Sequence, residues 1–417
     1  MNLDPLDREM LDGAHGPACQ LAMKLIVQYA GFFQARELLS ITCAHIDGCL
    51  YHGQASLDFA QKLQRLGGRV RVPTTLNVSS LDRLHPELYR GDPTIARDAR
   101  ELMDAYEALG CEPTWTCAPY QTASRRPGFG DQIAWAESNA IVFANSVLGA
   151  RTNRYGDFLD ICAALTGRVP DTGLHQTPAR RGQIVFTLTD IAPDMLADDI
   201  LYPLVGFIIG EESGTKIPAI VGLPPDTSED DLKAVGATSA SSGSVALFHA
   251  VGITPEAPTL EAALQNRPAE RTIAVTNDTL REARDRLNTL RVGAKLTAVS
   301  LGTPHFSVPE FARLGKLIAG RECDPGVEFF VNTSREVLER IKAAGQYDEL
   351  VRFGVRVVVD TCTYITPILR EVEGGGAAMT NSGKWAHYAP ANLGVGVALG
   401  SLSECVSSAV EGRVCRE

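Results

Sequence analysis

The residues best suited to chemistry crowd into 116–167, TCAPYQTASRRPGFGDQIAWAESNAIVFANSVLGARTNRYGDFLDICAALTG. The stretch opens on Cys117 beside a proline and crosses a Gly/Pro/Arg loop with Arg125 and Arg126. It then sets Glu137, Ser138, Asn139, Asn145, Ser146, Arg151, Asn153, Arg154 and Asp157 among Ala, Ile, Val and Phe. A segment built only for packing shows an apolar stripe with charges outside it, whereas polar groups that interrupt apolar runs and can hold an anion describe the wall of a site. Farther on, Cys362 stands in VVVDTCTY, His305 in GTPH and Lys384 in NSGK. Two distant thiolates such as Cys117 and Cys362 could meet in space around an iron centre, because soft ligands need no sequence proximity; two packed small hydrophobes are the ordinary alternative.

Other chemistries are excluded more firmly. No C-x-x-C pair exists for a zinc ribbon, and there is no G-x-x-x-x-G-K-[ST], no G-x-G-x-x-G opening a helix after a strand, and no G-x-S-x-G elbow. A net charge of −11 and a pI near 5.3 speak against nucleic acid or an anionic membrane as main partner, while a local arginine pocket suits a small anionic substrate. No apolar run is long enough to span a bilayer and the N-terminus lacks a signal pattern, so a cytoplasmic protein with ten reduced cysteines is expected.

Positioning these groups requires a scaffold. At 417 residues, with 45% hydrophobic and 21% charged, the chain has room for two or three α/β domains. Boundaries are expected near 1–115, 116–270 and 271–417, the middle one carrying the main motif. Periodicity predicts helices at 11–29, 56–66 and 93–109, and strands at 38–44 and 69–72. Residues 115–117 read as a strand end. Runs at 182–188, 201–209 and 217–223 read as further strands. In the last third, β-branched runs at 272–276, 296–301, 327–331 and 355–359 alternate with helical patterns at 278–290, 308–318 and 335–344. Such βα units form a parallel sheet with right-handed crossovers, so the polar tips GTPH, NTS and DTCTY belong on one edge.

The motifs HIDGCLYHG, RVPTTLNVSSLD, TCAPYQ, GFGDQIAWAESNAIVFANSVLGARTNRYGDFLDICAALTG, LGTPHFS, VVVDTCTY and MTNSGKWAHYAP together resemble the aconitase X family of hydro-lyases, collinearly from about Asp7 to about Val406. The resemblance implies an aconitase-like fold, several α/β domains with mainly parallel sheets around a central cleft. It also implies a small swivelling-domain subunit as partner, and iron held through Cys117 and Cys362. Many relatives carry cysteine where this chain has Thr303, so Cys49 is the expected third ligand. The cluster is expected to be a two-iron iron-sulfur centre, with mononuclear iron or a four-iron cluster as alternatives.

By the same resemblance Thr75, Asn77, Ser138, Asn139, Asn145 and Ser146 line the substrate pocket. Arg151 with Arg154 clamps a carboxylate, and His305, Lys384 and Glu137 serve catalysis, while the proton-abstracting base, a serine in aconitase-type enzymes, comes from the swivelling domain. A metal with an open position polarises a hydroxyl that would otherwise leave poorly. The expected reaction is dehydration of cis-3-hydroxy-L-proline to an unsaturated imino acid. The alternatives are dehydration of mevalonate 5-phosphate, with Arg125 and Arg126 as a second anion clamp, and a non-catalytic iron-binding subunit.

Overall fold

The computed structural model describes residues 1–373 and 375–416. The chain divides into two units, residues 1–81 with 92–181, and residues 82–91 with 182–417.

In the first unit, β1 (Leu38–Ser40) pairs antiparallel with β5 (Arg168–Pro170). A three-stranded parallel sheet has β2 (Ala44–Ile46) between β3 (Thr74–Leu76) and β4 (Ala134–Trp135). Residues from either side of position 116 therefore share one sheet. The expected strand at 69–72 is absent, because its backbone amides are already used: Val70 N–H donates to the Leu109 carbonyl (3.0 Å) and Arg71 N–H to the Ala164 carbonyl (2.9 Å). The strand expected at 38–44 is two strands, and the helix expected at 11–29 is two helices, Pro5–Asp12 and Pro17–Phe32. Between those helices Gly13 and Gly16 take φ of 92° and 90°, a region that only glycine enters without strain.

The second unit holds two parallel sheets. One contains β6 (Ile184–Leu188), β7 (Pro218–Val221), β8 (His249–Ala250) and β9 (Arg271–Val275) in the order β8-β7-β6-β9. The run expected at 272–276 thus joins this sheet and not the C-terminal one. The other contains β10 (Ala298–Phe306), β11 (Glu328–Thr333), β12 (Val355–Val358), β13 (Ala377–Thr380) and β14 (Gly396–Leu399) in the order β12-β11-β10-β13-β14. One face of its strands sets Val, Phe and Leu against helices Val308–Ile318, Arg335–Ala343 and Leu402–Glu411. With every pair parallel, the tips GTPH, NTS and DTCTY do lie on one edge.

Residues 201–209 form part of a helix, Leu201–Ser213, where a strand was expected. Its run is apolar all round, and such a run has no period to separate helix from strand. The helix lies close against Glu229–Ser242: a Cβ on Gly206 would come within 2.6 Å of the Val235 carbonyl and one on Gly210 within 2.8 Å of the Ser239 carbonyl. The small residues of ATSASSG permit that approach.

Residues 82–91 are fastened to the end of β12 by an exchange of amides. Asp82 Oδ2 accepts from Val359 N–H (2.9 Å), and Asp360 Oδ2 accepts from Arg83 N–H (3.1 Å). Asp360 is wholly buried with φ of 62°, and Arg335 donates to both its oxygens at 2.7 and 2.6 Å. Removing a partner from a buried ion pair leaves its charge uncompensated. Arg335→Met is therefore expected to lower the unfolding free energy by about 3 kcal/mol. Breaking the exposed pair Arg281–Asp278 is expected to change it by under about 0.5 kcal/mol. Urea denaturation of the two variants compares them directly, and equal losses would contradict the assignment.

Candidate active site

In the second unit, the edge where the parallel strands end brings GTPH, NTS, DTCTY and TNSGK together. Thr363, beside Cys362, is held from three directions. Its hydroxyl meets Ser300 Oγ at 2.5 Å and accepts from Trp385 Nε1 at 3.1 Å, and its N–H donates to Asn332 Oδ1 at 3.0 Å. Asn332 Nδ2 also donates to the Leu301 carbonyl at 2.6 Å, so one side chain ties the ends of β10 and β12 across β11. Ser300, Asn332, Thr363 and Trp385 were not foreseen as site residues. Their one sequence signal was the position of Asn332 and Thr363 in polar strand tips.

This frame puts a ring nitrogen of His305 within 4.8 Å of Cys362 Sγ. Both side chains are buried, at 0% and 1% exposure. His305 Nε2 lies 3.2 Å from the Thr361 carbonyl, and a carbonyl can only accept, so Nε2 carries the proton and Nδ1 the lone pair. A thiolate and an imidazole lone pair, both shielded from water, are a donor set suited to iron. Lys384 is buried in the first turn of helix Gly383–Leu393, its ammonium 5.8 Å from the Tyr364 ring centre. A cation there adds to the positive end of the helix and suits a carboxylate.

In the first unit, the strand end expected at 115–117 is a loop in which Trp115 takes φ of 44°. Cys117 is buried in it. Asn139 holds the loop, its Nδ2 donating to the Cys117 carbonyl and to Tyr120 Oη, both at 2.9 Å, while the Tyr120 ring stacks on Phe143. The buried Oδ1 of Asn139 meets no donor among the described residues.

Several expected site residues hold structural partners. Cys49 directs its thiol at the carbonyls of Ile46, Asn77 and Val78, and burial followed by nearby Asp47 pushes it well above the ordinary thiol range. A thiol held in that way is not an available thiolate. Glu137 caps helix Ser138–Phe143: one oxygen accepts from Ala140 N–H at 2.6 Å and the other from Ser138 Oγ at 3.0 Å. Asn145 sits in the π-helical turn Ala144–Leu148 with Ser146, and braces the following loop through Thr152 and Arg180. Arg151 donates to the His175 carbonyl at 3.0 Å and to Thr177 Oγ1 at 2.9 Å, whereas Arg154 is exposed and makes no hydrogen bond or ion pair among the described residues. The two do not act as a preformed clamp. Arg125 forms an ion pair with Glu112.

Thr75 and Asn77 lie instead beside an acidic cluster that went unforeseen. Thr75 Oγ1 meets His45 Nδ1 at 2.7 Å, and burial lowers His45 to about 4, so the imidazole is neutral. Asn77 Nδ2 donates to Asp47. Burial, then Glu137 and Asp157, raises Asp47 to about 8. Asp160 accepts from the Asp47, Gly48 and Ile161 amides at 2.8, 3.0 and 2.6 Å, and burial raises it to about 7 in spite of them. Asp47 is only partly buried, so it is a proton-bearing carboxyl with access to the surface. Its place in HIDGC was the available signal.

Family models for the first, second and third domains of aconitase X match residues 1–178, 182–285 and 296–411. Over 414 residues the chain is 43% identical to the cis-3-hydroxy-L-proline dehydratase of Pseudomonas aeruginosa, covering 99% of this chain and 70% of that protein. The chain belongs to the aconitase X family. It is 42% identical to the enzyme of the same name from Hypocrea jecorina, covering 99% of this chain and 69% of that one. It is 31% identical to the phosphomevalonate dehydratase large subunit of Methanosarcina mazei, covering 99% and 98%. The crystal structure of Thermococcus kodakaraensis aconitase X in its holo-form superposes with a TM-score of 0.86 at 30% identity, covering 98% of this chain and 100% of that one. The α/β fold is thus the aconitase X fold, and the chain is an aconitase-superfamily hydro-lyase. No helix among the described residues is long and apolar enough to cross a membrane.

The raised Asp47 carboxyl makes stability depend on pH. In the unfolded chain an aspartate loses its proton near pH ~3.9. The stabilising neutral form in the folded protein is fully present below that value and is lost as pH rises through about 8. Asp47→Asn keeps the site neutral at every pH. Its urea midpoint is expected to gain on the wild type from pH 5 to about pH 8 and to level off above it, and a constant difference between the two across that range would contradict the shift.

Proposed function

We propose that this chain is the large subunit of a cis-3-hydroxy-L-proline dehydratase, which removes water to give the unsaturated imino acid pyrroline-2-carboxylate. The observation that carries this reading is the 43% and 42% identity, over nearly the whole chain, to two dehydratases of that name, against 31% for the phosphomevalonate enzyme of Methanosarcina mazei. The chemistry of the arginines supports it. Mevalonate 5-phosphate carries a dianion distant from its carboxylate and needs a second set of donors, at a penalty of several kcal/mol if those charges stay unpaired. Arg125, one half of the only second clamp expected, is paired with Glu112.

Iron is the proposed cofactor, held by Cys117 and Cys362, with His305 in the place first given to Cys49. Bound there, iron supplies a Lewis acid for the substrate hydroxyl. The Nδ1 lone pair of His305 serves as donor while its Nε2 proton stays on the Thr361 carbonyl, which fixes the ring. Lys384 binds the substrate carboxylate. Asp47, raised to about 8, carries a proton at neutral pH, and the Asn77 amide on one of its oxygens holds it in orientation. Removal of the substrate proton falls to the small swivelling-domain subunit, by analogy with the archaeal relatives, which are named as large subunits. The reducing cytoplasm is the compartment in which these thiolates stay available.

Purified without air, Cys117→Ser and Cys362→Ser are each expected to lose most bound iron, and metal analysis showing wild-type content in either variant would refute the ligand set. With its small subunit added, the protein is expected to turn over cis-3-hydroxy-L-proline and not mevalonate 5-phosphate. The double variant Arg125→Ala, Arg126→Ala is expected to leave KM for the amino acid within about threefold, since neither arginine is assigned to its carboxylate. Turnover of the phosphate alone would overturn the substrate while leaving the hydro-lyase class.

A further inference from the structure

Between Leu301 and Phe306 the register of β10 on β11 shifts, and Gly302 enters the turn with φ of 82°. Residues 302–305 therefore leave the ladder that would otherwise satisfy their backbone. The carbonyls of Thr303, His305 and Phe306 are taken up by side chains from elsewhere in the same unit. Ser382 Oγ donates to the Thr303 carbonyl, Lys233 Nζ to the His305 carbonyl at 3.3 Å, and Thr333 Oγ1 to the Phe306 carbonyl at 2.7 Å. Ser382 and Thr333 are hydroxyls at neighbouring strand tips. Lys233 is different in kind, since it arrives from helix Glu229–Ser242 and brings a full charge into the interior, 2% exposed.

Two carboxylates meet that charge. Lys233 Nζ also donates to Asp230 Oδ1 at 2.9 Å and to Glu310. Asp230 in turn accepts from Ser307 Oγ at 2.6 Å, and Glu310 from Ser307 N–H at 2.7 Å, closing the cap of helix Val308–Ile318. Each member thus touches the backbone or side chain of residues 305–310. A buried ionic group of this sort adds little to stability over apolar residues of the same volume, but it does fix direction, because each bond has a required geometry. What it fixes here is the peptide between His305 and Phe306, and with it the Cα from which the imidazole projects toward Cys362.

We propose that Lys233, with Asp230 and Glu310, is a positioning group for His305, holding the imidazole at the angle from which it serves the metal. This rests on the iron reading above and extends it to residues that touch neither metal nor substrate. Loss of such supporting partners commonly lowers metal affinity about 10- to 100-fold while the ligands themselves remain.

The decisive protein is the triple variant Lys233→Met, Asp230→Asn, Glu310→Gln, in which no charge is left unpaired and the shapes are nearly kept. Lys233→Met alone leaves two buried carboxylates without their cation and tests folding more than position. Thermal melting of the metal-free chain, anaerobic iron titration, and the visible and electron paramagnetic resonance spectra of the loaded protein are compared with wild type. The expected result is a melting temperature near that of wild type, iron affinity lower by about 10-fold or more, and a shifted spectrum. Wild-type affinity and spectrum in the triple variant would overturn the positioning role while leaving the iron reading intact. Wild-type protein that itself binds no iron would overturn both.

Discussion

Two aspartates exchanging backbone amides hold the functional edge of the second unit in place. Asp82 takes the N–H of Val359 and Asp360 takes the N–H of Arg83, so a ten-residue excursion and the end of β12 fix each other. Asp360 adopts a left-handed backbone that a non-glycine residue rarely accepts, and it can do so because Arg335 binds both its oxygens. Cys362 lies two residues on. The direction in which β12 hands over to the Thr-Cys-Thr loop is thereby set before any site residue is reached, and Asn332, Ser300 and Trp385 then fix Thr363.

The polar wealth of residues 116–167 serves a different purpose than its composition suggests. Glu137, Asn145 and Arg151 each satisfy backbone groups of irregular segments: a helix start, the loop at Thr152, and the 3₁₀ turn ending at His175. Irregular backbone that is buried must find partners outside a ladder, and these side chains are those partners. Asn139 joins both purposes, since it fastens the loop that carries Cys117.

The regular parts of the molecule were legible because their physics is local. Runs rich in Val and Phe announced β10, β11 and β12, and parallel order followed from the helices between them. The strands β13 and β14 gave no such signal, being four residues each and rich in Ala and Gly. The helix at 201–213 was hidden by an apolar run without a period. Cys362, His305 and Lys384 could be placed on one edge because strand tips of a parallel sheet share it. The carbonyl partners of Cys49 and Arg151 were not legible for one reason: residue type tells what a group can bond, and only the fold tells which carbonyl reaches it first. The full motif set carried the family resemblance, since such motifs preserve local geometry that no single spacing expresses.

The excursion at 82–91 also shapes how the chain can come together during synthesis. The first unit is complete once residue 181 has emerged, yet the ten residues looped out of it belong to a body still unmade. The carboxylate of Asp82 meets its partner amide only 277 positions later. Closing so long a loop adds little to its entropy beyond that of a moderate one, because the penalty grows with the logarithm of length. The waiting is the more serious matter. Until Val359 and Asp360 arrive, the segment HPELY waits without its packing surface, since Leu88 beds on Phe330 and Val358 of strands not yet made.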